Sequence, residues 1–198
     1  MANASTRPLG RVLAIALVLA AATVLHASDA TAGGACTITG TAGDDRLRGT
    51  NGRDVICGLG GDDRIRGRLG NDLIRAGDGN DNLFGNAGSD RLVGGSGSDF
   101  MVAGRGRDLS LGGAGSDFSG VSSQGSDRWS GGPGSDHLTD FSGADRISGG
   151  TGADGCLATE DGVGDDTIRG GPGRDVGDAD DADTVSSLEI QGRVCFAD

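Results

Sequence analysis

A nine-residue repeat governs the sequence between Gly43 and Asp117. Within it a Gly-x-Asp triplet returns every nine residues, at Asp45, Asp54, Asp63, Asp72, Asp81, Asp90, Asp99, Asp108 and Asp117. The residue two places after the aspartate is apolar in seven of these nine units. A period of nine residues is too short for a helical repeat and matches half of one coil of a solenoid. The repeat therefore predicts an all-β chain of stacked coils.

The glycines of the triplets are as regular as the aspartates. In the uninterrupted run they are Gly43, Gly52, Gly61, Gly70, Gly79, Gly88, Gly97, Gly106 and Gly115. The triplet continues after one insertion near 120–124 and a second near 158–162, and the later aspartates are Asp127, Asp136, Asp145, Asp154, Asp166 and Asp175. We therefore expect the same architecture on both sides of the insertions.

Nine residues suffice for one turn and one short strand. A glycine-rich hexapeptide adopts tight conformations that residues with a Cβ avoid, and the three residues left over form a strand. Two units close a coil of 18 residues, and coils stack with strands ~4.8 Å apart. The prediction is a parallel β-roll solenoid with two short parallel sheets and one inward side chain per strand.

Stacking places the turn aspartates of successive coils against one another. Asp45 then faces Asp63 and Asp54 faces Asp72, and such carboxylates repel unless a cation lies between them. Ca²⁺ is the cation that prefers carboxylate and main-chain oxygens. The alternative is that Asp and Gly are ordinary turn residues with no metal, which a single turn would favour and fifteen turns in register do not.

Two fragments match a known pattern. Residues 94–102 read Gly-Gly-Ser-Gly-Ser-Asp-Phe-Met-Val and residues 112–120 read Gly-Gly-Ala-Gly-Ser-Asp-Phe-Ser-Gly. They resemble the nonapeptide of the RTX (hemolysin-type) calcium-binding family. The resemblance implies several Ca²⁺ ions in two rows along the turns. The first glycine of the nonapeptide, five places before the aspartate, is called the leading glycine below. In five units another residue replaces it, and there we expect weaker calcium binding: Ala76, Ala103, Ser122, Asp140 and Asp161.

The composition permits only a thin core. The 198 residues include 41 Gly, one Trp, five Phe and no Tyr, and the net charge is -12. Ordering so much glycine costs conformational entropy that little apolar burial offsets. The acidic balance argues against nucleic acid and anionic membranes as partners and favours cations. We therefore expect the chain to fold on binding calcium.

The N-terminus predicts export. Arg7 and Arg11 precede an apolar run over residues 12–25, which is shorter than the ~20 residues of a spanning helix. We interpret residues 1–32 as a signal peptide, which leaves no membrane span in the mature chain and makes the protein secreted and extracellular.

The rest of the chain is expected to have three parts: an N-terminal cap over 33–42, the β-roll over 43–178 and a C-terminal cap over 179–198. Terminal strands are expected at 37–39 and within 184–196.

Four cysteines in an exported chain predict disulfides. The two ends of a stack lie too far apart to be bridged, so we expect Cys36 to pair with Cys57 and Cys156 with Cys195. Zinc is the alternative, but no two cysteines have the short spacing of a zinc hook and His137 is the only histidine after residue 32.

Trp129 is predicted to point inward. The inward positions before it are Ser110 and Ser119, and an indole fills the space that two small side chains leave open. The alternative is a hinge with Trp129 exposed as a platform for a sugar or partner. Aromatic side chains at Phe84, Phe100 and Phe118 are expected to point outward, either as a contact site or under the C-terminal segment.

The sequence predicts a secreted calcium-binding module with a structural or surface-interaction role. An enzyme is disfavoured, because there is no His-Glu-x-x-His motif and no nucleophile elbow between a strand and a helix. An alternative is adhesion to a cell-surface polymer or a protein partner through a cluster of arginine side chains. The cluster consists of Arg46, Arg48, Arg64 and Arg66, whose other interpretation is charge balance against nearby aspartates.

Overall fold

Successive strands of the chain alternate between two parallel β-sheets. The computed structural model describes residues 34–120, 124–139, 142–159, 166–179, 184–188 and 190–191. The strands are β1 (Ile38–Thr39), β2 (Arg46–Arg48), β3 (Val55–Gly60), β4 (Arg64–Leu69), β5 (Leu73–Asp78), β6 (Asn82–Ala87), β7 (Arg91–Ser96), β8 (Phe100–Arg105), β9 (Leu109–Ala114), β10 (Phe118–Ser119), β11 (Arg128–Pro133), β12 (His137–Thr139), β13 (Arg146–Thr151), β14 (Gly155–Thr159), β15 (Thr167–Arg169), β16 (Val176–Ala179), β17 (Thr184–Ser186) and β18 (Ile190–Gln191). No helix within these ranges is long and apolar enough to cross a membrane.

Each strand pairs with the strands two places away along the chain. The odd-numbered strands from β1 to β17 form one sheet, the odd sheet, and the even-numbered strands form the even sheet. All pairings are parallel, and in the regular region they join residues eighteen apart, as Ile56 with Ile74 and Ile65 with Leu83. The predicted β-roll with 18-residue coils and two parallel sheets is confirmed.

The register continues across both insertions. Arg128 pairs with Leu109 nineteen residues earlier, and Thr167 pairs with Arg146 twenty-one residues earlier. The extra residues leave the strands paired, although the pairing of β12 with β14 shifts by one residue between His137 and Thr139. At the ends, β1, β17 and β18 confirm the expected terminal strands for the residues that are described.

One side chain per strand fills the narrow space between the sheets. The buried apolar residues at these positions are Ile56, Ile65, Ile74, Leu83, Leu92, Met101, Trp129, Leu138, Ile147, Leu157 and Ile168. Leu47, on the first coil of the even sheet, is half-buried and packs against them. The core is thus a double ladder one residue deep on each side, which is as thin as the composition requires.

The serines at the middle of the stack are buried as predicted. Trp129 pairs with Ser110 on the preceding coil and is 2% exposed, which confirms its inward position. Ser119 also makes hydrogen bonds: its Oγ accepts from the Thr139 N–H at 2.6 Å and donates to the Thr139 carbonyl at 3.0 Å. The small Ser119 side chain therefore leaves space in the core and also hydrogen-bonds to the next coil of the even sheet.

Aromatic side chains form a ladder on the outer face of the even sheet. The ring centroids are 6.2 Å apart for Phe84 and Phe100, and 5.7 Å apart for Phe100 and Phe118. His137 stacks on Phe118 at 4.6 Å. The predicted outward positions of the three phenylalanines are confirmed. His137, the only histidine in the described part of the chain, serves as a stacking residue there.

The predicted disulfide between Cys36 and Cys57 is present. The sulfur atoms are 1.98 Å apart and the Cα atoms 6.0 Å apart. The bond ties the segment before β1 to β3, next to the pairing of Thr39 with Cys57. The predicted pairing of Cys156 with Cys195, and the predicted signal peptide, lie outside the residues and side chains that the structure describes.

Candidate metal centre in the turns

The turn aspartates form two hydrogen-bonded ladders, one along each edge of the stack. In each step the N–H of one aspartate donates to Oδ1 of the aspartate one coil later, as Asp63 does to Asp81 at 2.7 Å. The first ladder contains Asp45, Asp63, Asp81, Asp99, Asp117, Asp136, Asp154 and Asp175. The second contains Asp54, Asp72, Asp90, Asp108, Asp127, Asp145 and Asp166. All fifteen predicted aspartates are therefore brought into register.

The second carboxylate oxygen of most ladder aspartates has no protein donor. From Asp54 onward the ladder aspartates are buried, with exposures of 5% or less. Oδ2 is buried without a hydrogen-bond partner in Asp63, Asp72, Asp81, Asp90, Asp99, Asp108, Asp117, Asp136 and Asp154. A buried carboxylate oxygen without a partner is costly. A repeated row of such atoms is therefore a candidate cation site.

Burial also shifts the protonation of these carboxyls. It raises the pKa of Asp90 and Asp99 to about 7, against a local main-chain hydrogen bond that lowers it, and neighbouring aspartates add to the rise. The pKa of Asp81 is raised to about 6 for the same reasons. The charged form is thus poorly stabilised by the protein alone. A bound cation would reverse this preference.

The leading glycine of each turn leaves open a cradle lined by oxygen. A Cβ added at Gly94 would meet Asp99 Oδ2 and the carbonyl oxygen of Gly112 on the next coil, and both would have to move. The same pair of groups surrounds Gly58, Gly67, Gly85, Gly112, Gly131, Gly149 and Gly170. Ala76 and Ala103 carry a real Cβ at this place and are fully buried.

The triplet glycines have a different role, in the backbone. From Gly61 onward those that are described adopt positive φ, and they are Gly61, Gly70, Gly79, Gly88, Gly97, Gly106, Gly115, Gly125, Gly134, Gly143, Gly152 and Gly173. At Gly97 a Cβ would also strike the carbonyl oxygen of Gly79 on the preceding coil. Glycine is therefore required both by the left-handed conformation and by the close stacking of turns. Gly43 and Gly52 do not adopt this conformation.

The donors available in the turns fit calcium. No three side chains of His, Cys, Asp or Glu converge in the described ranges. Each described turn has one ladder carboxylate beside main-chain carbonyls, and the additional Asp44 and Asp62 are exposed. Such a set suits Ca²⁺, which takes about six to eight oxygen ligands, whereas structural zinc takes sulfur and nitrogen. The disulfide also removes Cys36 and Cys57 as zinc ligands.

A parallel β-roll with oxygen-lined turns defines the class of a calcium-binding solenoid. The chain matches the RTX calcium-binding nonapeptide repeat over residues 37–65, 58–92, 84–118, 122–155 and 160–185. It belongs to this family, as the two fragments at 94–102 and 112–120 predicted. Repeats of this family bind Ca²⁺, and the β-roll that they form is typically a structural module and not a catalytic one. A comparison with curated proteins finds no match.

Sequence reasoning missed two features of the turns. The first is the bond from each aspartate N–H to the next aspartate, which ties one carboxylate oxygen to the stack. The second is a set of threonine contacts in the first coil, where the Thr41 N–H and Oγ1 lie 2.6 and 3.0 Å from Asp45 Oδ2. The replacement of glycine by threonine four places before an aspartate was the available signal for the second feature.

Proposed function

We propose that the protein is a secreted structural module that folds when its turns bind calcium. The observation that carries the proposal is the row of buried Oδ2 atoms without donors in the turn aspartates of an RTX repeat chain. The ligands are the carboxylates of Asp63, Asp72, Asp81, Asp90, Asp99, Asp108, Asp117, Asp127, Asp136, Asp145, Asp154, Asp166 and Asp175, together with main-chain carbonyls of the glycine-rich turns. When bound, Ca²⁺ neutralises the stacked carboxylates and links consecutive coils.

Folding on calcium binding follows from the balance of forces in the stack. The core contributes one small ladder of side chains per sheet, while the ladder carboxylates are buried and mutually repulsive. Without a cation, charged carboxylates oppose the folded state and the glycine-rich chain gains entropy on unfolding. The free energy of ion binding then becomes free energy of folding.

Secretion is part of the same proposal. Arg7 and Arg11 before the apolar run at 12–25 support export. The disulfide between Cys36 and Cys57 supports an oxidising compartment. Extracellular calcium is abundant, so a chain that folds on calcium would stay unfolded before export and fold after it.

The test is a calcium titration of the mature chain followed by far-ultraviolet circular dichroism. We expect little β signal in excess chelator and a cooperative rise with Ca²⁺, and no comparable rise with Mg²⁺. A full β signal in chelator would contradict the proposal.

Two matched double variants locate the ions. Asp90→Asn with Asp99→Asn removes two buried ladder carboxylates, and Asp44→Asn with Asp62→Asn removes two exposed carboxylates that directly precede the ladder residues Asp45 and Asp63. Both variants lose the same charge. We expect the first to need at least about tenfold more calcium because it loses ion ligands, and the second to behave like the parent chain. Equal shifts would show that only net charge matters.

A second candidate function is adhesion to an anionic polymer of a cell surface. Arg46 pairs with Arg64 and Arg48 with Arg66 on adjacent coils, and all four are exposed around a depression of about 450 Å³. Phe84 on the next coil lies under two of them, with its ring centre 5.1 Å from Arg64 Cζ and 5.7 Å from Arg66 Cζ. Stacking on an aromatic ring holds a guanidinium in place while leaving its N–H groups for an anion.

Dextran sulfate is a suitable probe for this surface, with uncharged dextran as its control. Arg46→Ser with Arg64→Ser should abolish retention of the calcium-loaded chain. Arg128→Ser with Arg146→Ser removes a similarly paired and exposed couple from the odd sheet and should leave retention unchanged. If both variants weaken binding equally, the four-arginine cluster is not the site.

A further inference from the structure

The first two turns differ from the turns of the regular run that follow them, from Asp63 to Asp117, in how they satisfy their aspartates. The Thr41 N–H donates to Asp45 Oδ2 at 2.6 Å, and Thr41 Oγ1 donates to the same oxygen at 3.0 Å. The second turn repeats the arrangement, with Thr50 N and Oγ1 at 2.7 and 2.9 Å from Asp54 Oδ2. Each of these oxygens therefore has two protein donors.

In later turns, other residues stand where the threonines stand. Four places before Asp63 and Asp72 the chain has Leu59 and Arg68, and glycine or asparagine follows in the next turns. Neither Leu59 nor Arg68 supplies a hydroxyl, and Oδ2 of both Asp63 and Asp72 is buried without a partner. The first two turns therefore differ from the next two in whether Oδ2, the carboxylate oxygen that faces the cradle, has protein donors.

The backbone changes at the same point in the chain. Leu59 and Arg68 adopt φ of 85° and 90°, and Gly61 and Gly70 adopt 91° and 115°. The equivalent residues of the first two turns, Thr41, Thr50, Gly43 and Gly52, have no such left-handed conformation. Threonine is β-branched and disfavours positive φ. Its hydroxyl also bonds locally, since the Gly43 N–H donates to Thr41 Oγ1 at 3.2 Å.

We propose that the turns ending at Asp45 and Asp54 take no calcium, and that they form a metal-independent cap for the calcium-binding coils. A cation at Asp45 Oδ2 or Asp54 Oδ2 would meet an N–H and an O–H donor, whose positive ends repel it. This inference rests on the proposed calcium sites of the later turns. The repeat alone predicts a calcium ligand in every turn. The inference removes Asp45, Asp54, Gly43 and Gly52 from the predicted calcium ligands.

The cap orients the aspartates of the first two turns that are proposed to bind calcium. The N–H of Asp45 donates to Asp63 Oδ1 at 2.8 Å and the N–H of Asp54 donates to Asp72 Oδ1 at 2.8 Å. These bonds orient the carboxylates of the first two turns that have an orphaned Oδ2. The Cys36–Cys57 disulfide holds the start of the cap to β3. Calcium-dependent folding therefore starts against an ordered edge at the N-terminal end.

Counting bound ions by native mass spectrometry tests the site assignment on the full mature chain in Ca²⁺. Asp54→Asn should retain the parent ion count, while Asp72→Asn, the next aspartate of the same ladder, should lose at least one ion. Loss of an ion from Asp54→Asn would overturn the inference and leave the proposed function standing. A parent chain without bound calcium would overturn both.

Amide exchange followed by nuclear magnetic resonance in excess chelator tests the cap directly. We expect the Thr41 and Thr50 amides to exchange slowly without calcium. The Leu59 and Arg68 amides, at the equivalent places of the next two turns, should exchange quickly and slow down only when Ca²⁺ is added. Thr41 and Thr50 amides that exchange as fast as those of Leu59 and Arg68 would overturn the inference.

Discussion

From Asp63 onward, the two carboxylate oxygens of a ladder aspartate have different roles. Oδ1 accepts a main-chain N–H from the preceding coil, as between Asp81 and Asp99 at 2.9 Å. Oδ2 faces the cradle beside the leading glycine, and in Asp99 it has no hydrogen-bond partner. Asparagine would preserve the first contact, whereas only a carboxylate supplies the second oxygen with charge. If the proposed calcium sites are correct, aspartate is therefore needed at these positions for metal binding more than for stacking.

The size of the leading residue should set the calcium affinity of a turn. Gly94→Ala places a methyl group against Asp99 Oδ2 and the Gly112 carbonyl, and we expect weaker calcium binding by about tenfold, equal to ~1.4 kcal/mol. Ala103→Gly removes the buried methyl group of a neighbouring turn and should tighten calcium binding. Calorimetric calcium titration of the two variants measures both effects.

The two substitutions control for each other. Both exchange one methyl group at the same place in the repeat, and neither glycine nor alanine there has positive φ. If both variants weaken calcium binding, general loss of packing explains the result and the cradle does not. Opposite signs are expected only if the leading position borders the ion.

Acidification should stabilise the metal-free fold. The pKa of Asp90 and Asp99 is raised by burial from 3.8 to about 7, so the folded state binds more protons than the unfolded state between about pH 4 and pH 7. Stability from these groups is therefore present at low pH and lost as the pH rises through about 7. In chelator, circular dichroism should report more β structure at pH 5 than at pH 8.

With calcium the pH dependence should have the opposite sign. Protons compete with the ion for the same carboxylates, so the calcium concentration at half-folding should rise as the pH falls from 8 to 5. Asp90→Asn with Asp99→Asn should shrink both effects, because two of the titrating groups are gone. The same sign of pH dependence with and without calcium would refute the assignment of these groups.

At the scale of the strand, one inward residue decides how each coil contributes to the core. Most inward residues are aliphatic, but Ser110 and Ser119 interrupt the ladder before Trp129 restores it. Trp129→Ala should cost about 3–5 kcal/mol of stability in the calcium-loaded state, because a large buried side chain is removed. Chemical denaturation followed by circular dichroism measures this cost.

Tryptophan fluorescence checks the burial of Trp129 in solution. Calcium should shift its emission to the blue and protect it from iodide, since it is the only tryptophan of the chain. Trp129→Phe, which keeps an aromatic ring at the site, should restore most of the stability lost in Trp129→Ala. Emission that stays red and quenchable with calcium bound would place the side chain outside the core.

The strands and their register were predictable because the aspartate spacing alone sets both. The pairing of Ile65 with Leu83 follows from a step of eighteen residues. The threonine contacts at Asp45 and Asp54 were not predictable from the period, because those two turns keep the same glycine and aspartate positions as the rest. They depend on whether a side chain or an ion satisfies one oxygen, which spacing does not encode.

Across the described coils as a whole, charge is separated between the edges and the faces of the stack. The buried aspartates lie along the two edges of the stack, while arginines such as Arg64 and Arg128 lie exposed on its outer faces. The stack is quasi-one-dimensional, so each coil is stabilised by its immediate neighbours. Cooperativity of calcium-driven folding therefore depends on unbroken contact from one end of the stack to the other.

A break at a turn with ladder neighbours on both sides should weaken this cooperative unit more than a break at the last turn. Asp72 accepts the N–H of Asp54 and its own N–H donates to Asp90, so it connects the first coil to the following coils. Asp175 accepts the N–H of Asp154 at the far end of its ladder. Asp72→Ala should therefore lower the Hill coefficient of the calcium titration and split the transition, whereas Asp175→Ala should change the Hill coefficient little. Equal Hill coefficients for the two variants would mean that the coils fold independently, because in a coupled stack a break at the last turn disturbs fewer neighbours than a break at a turn with ladder neighbours on both sides.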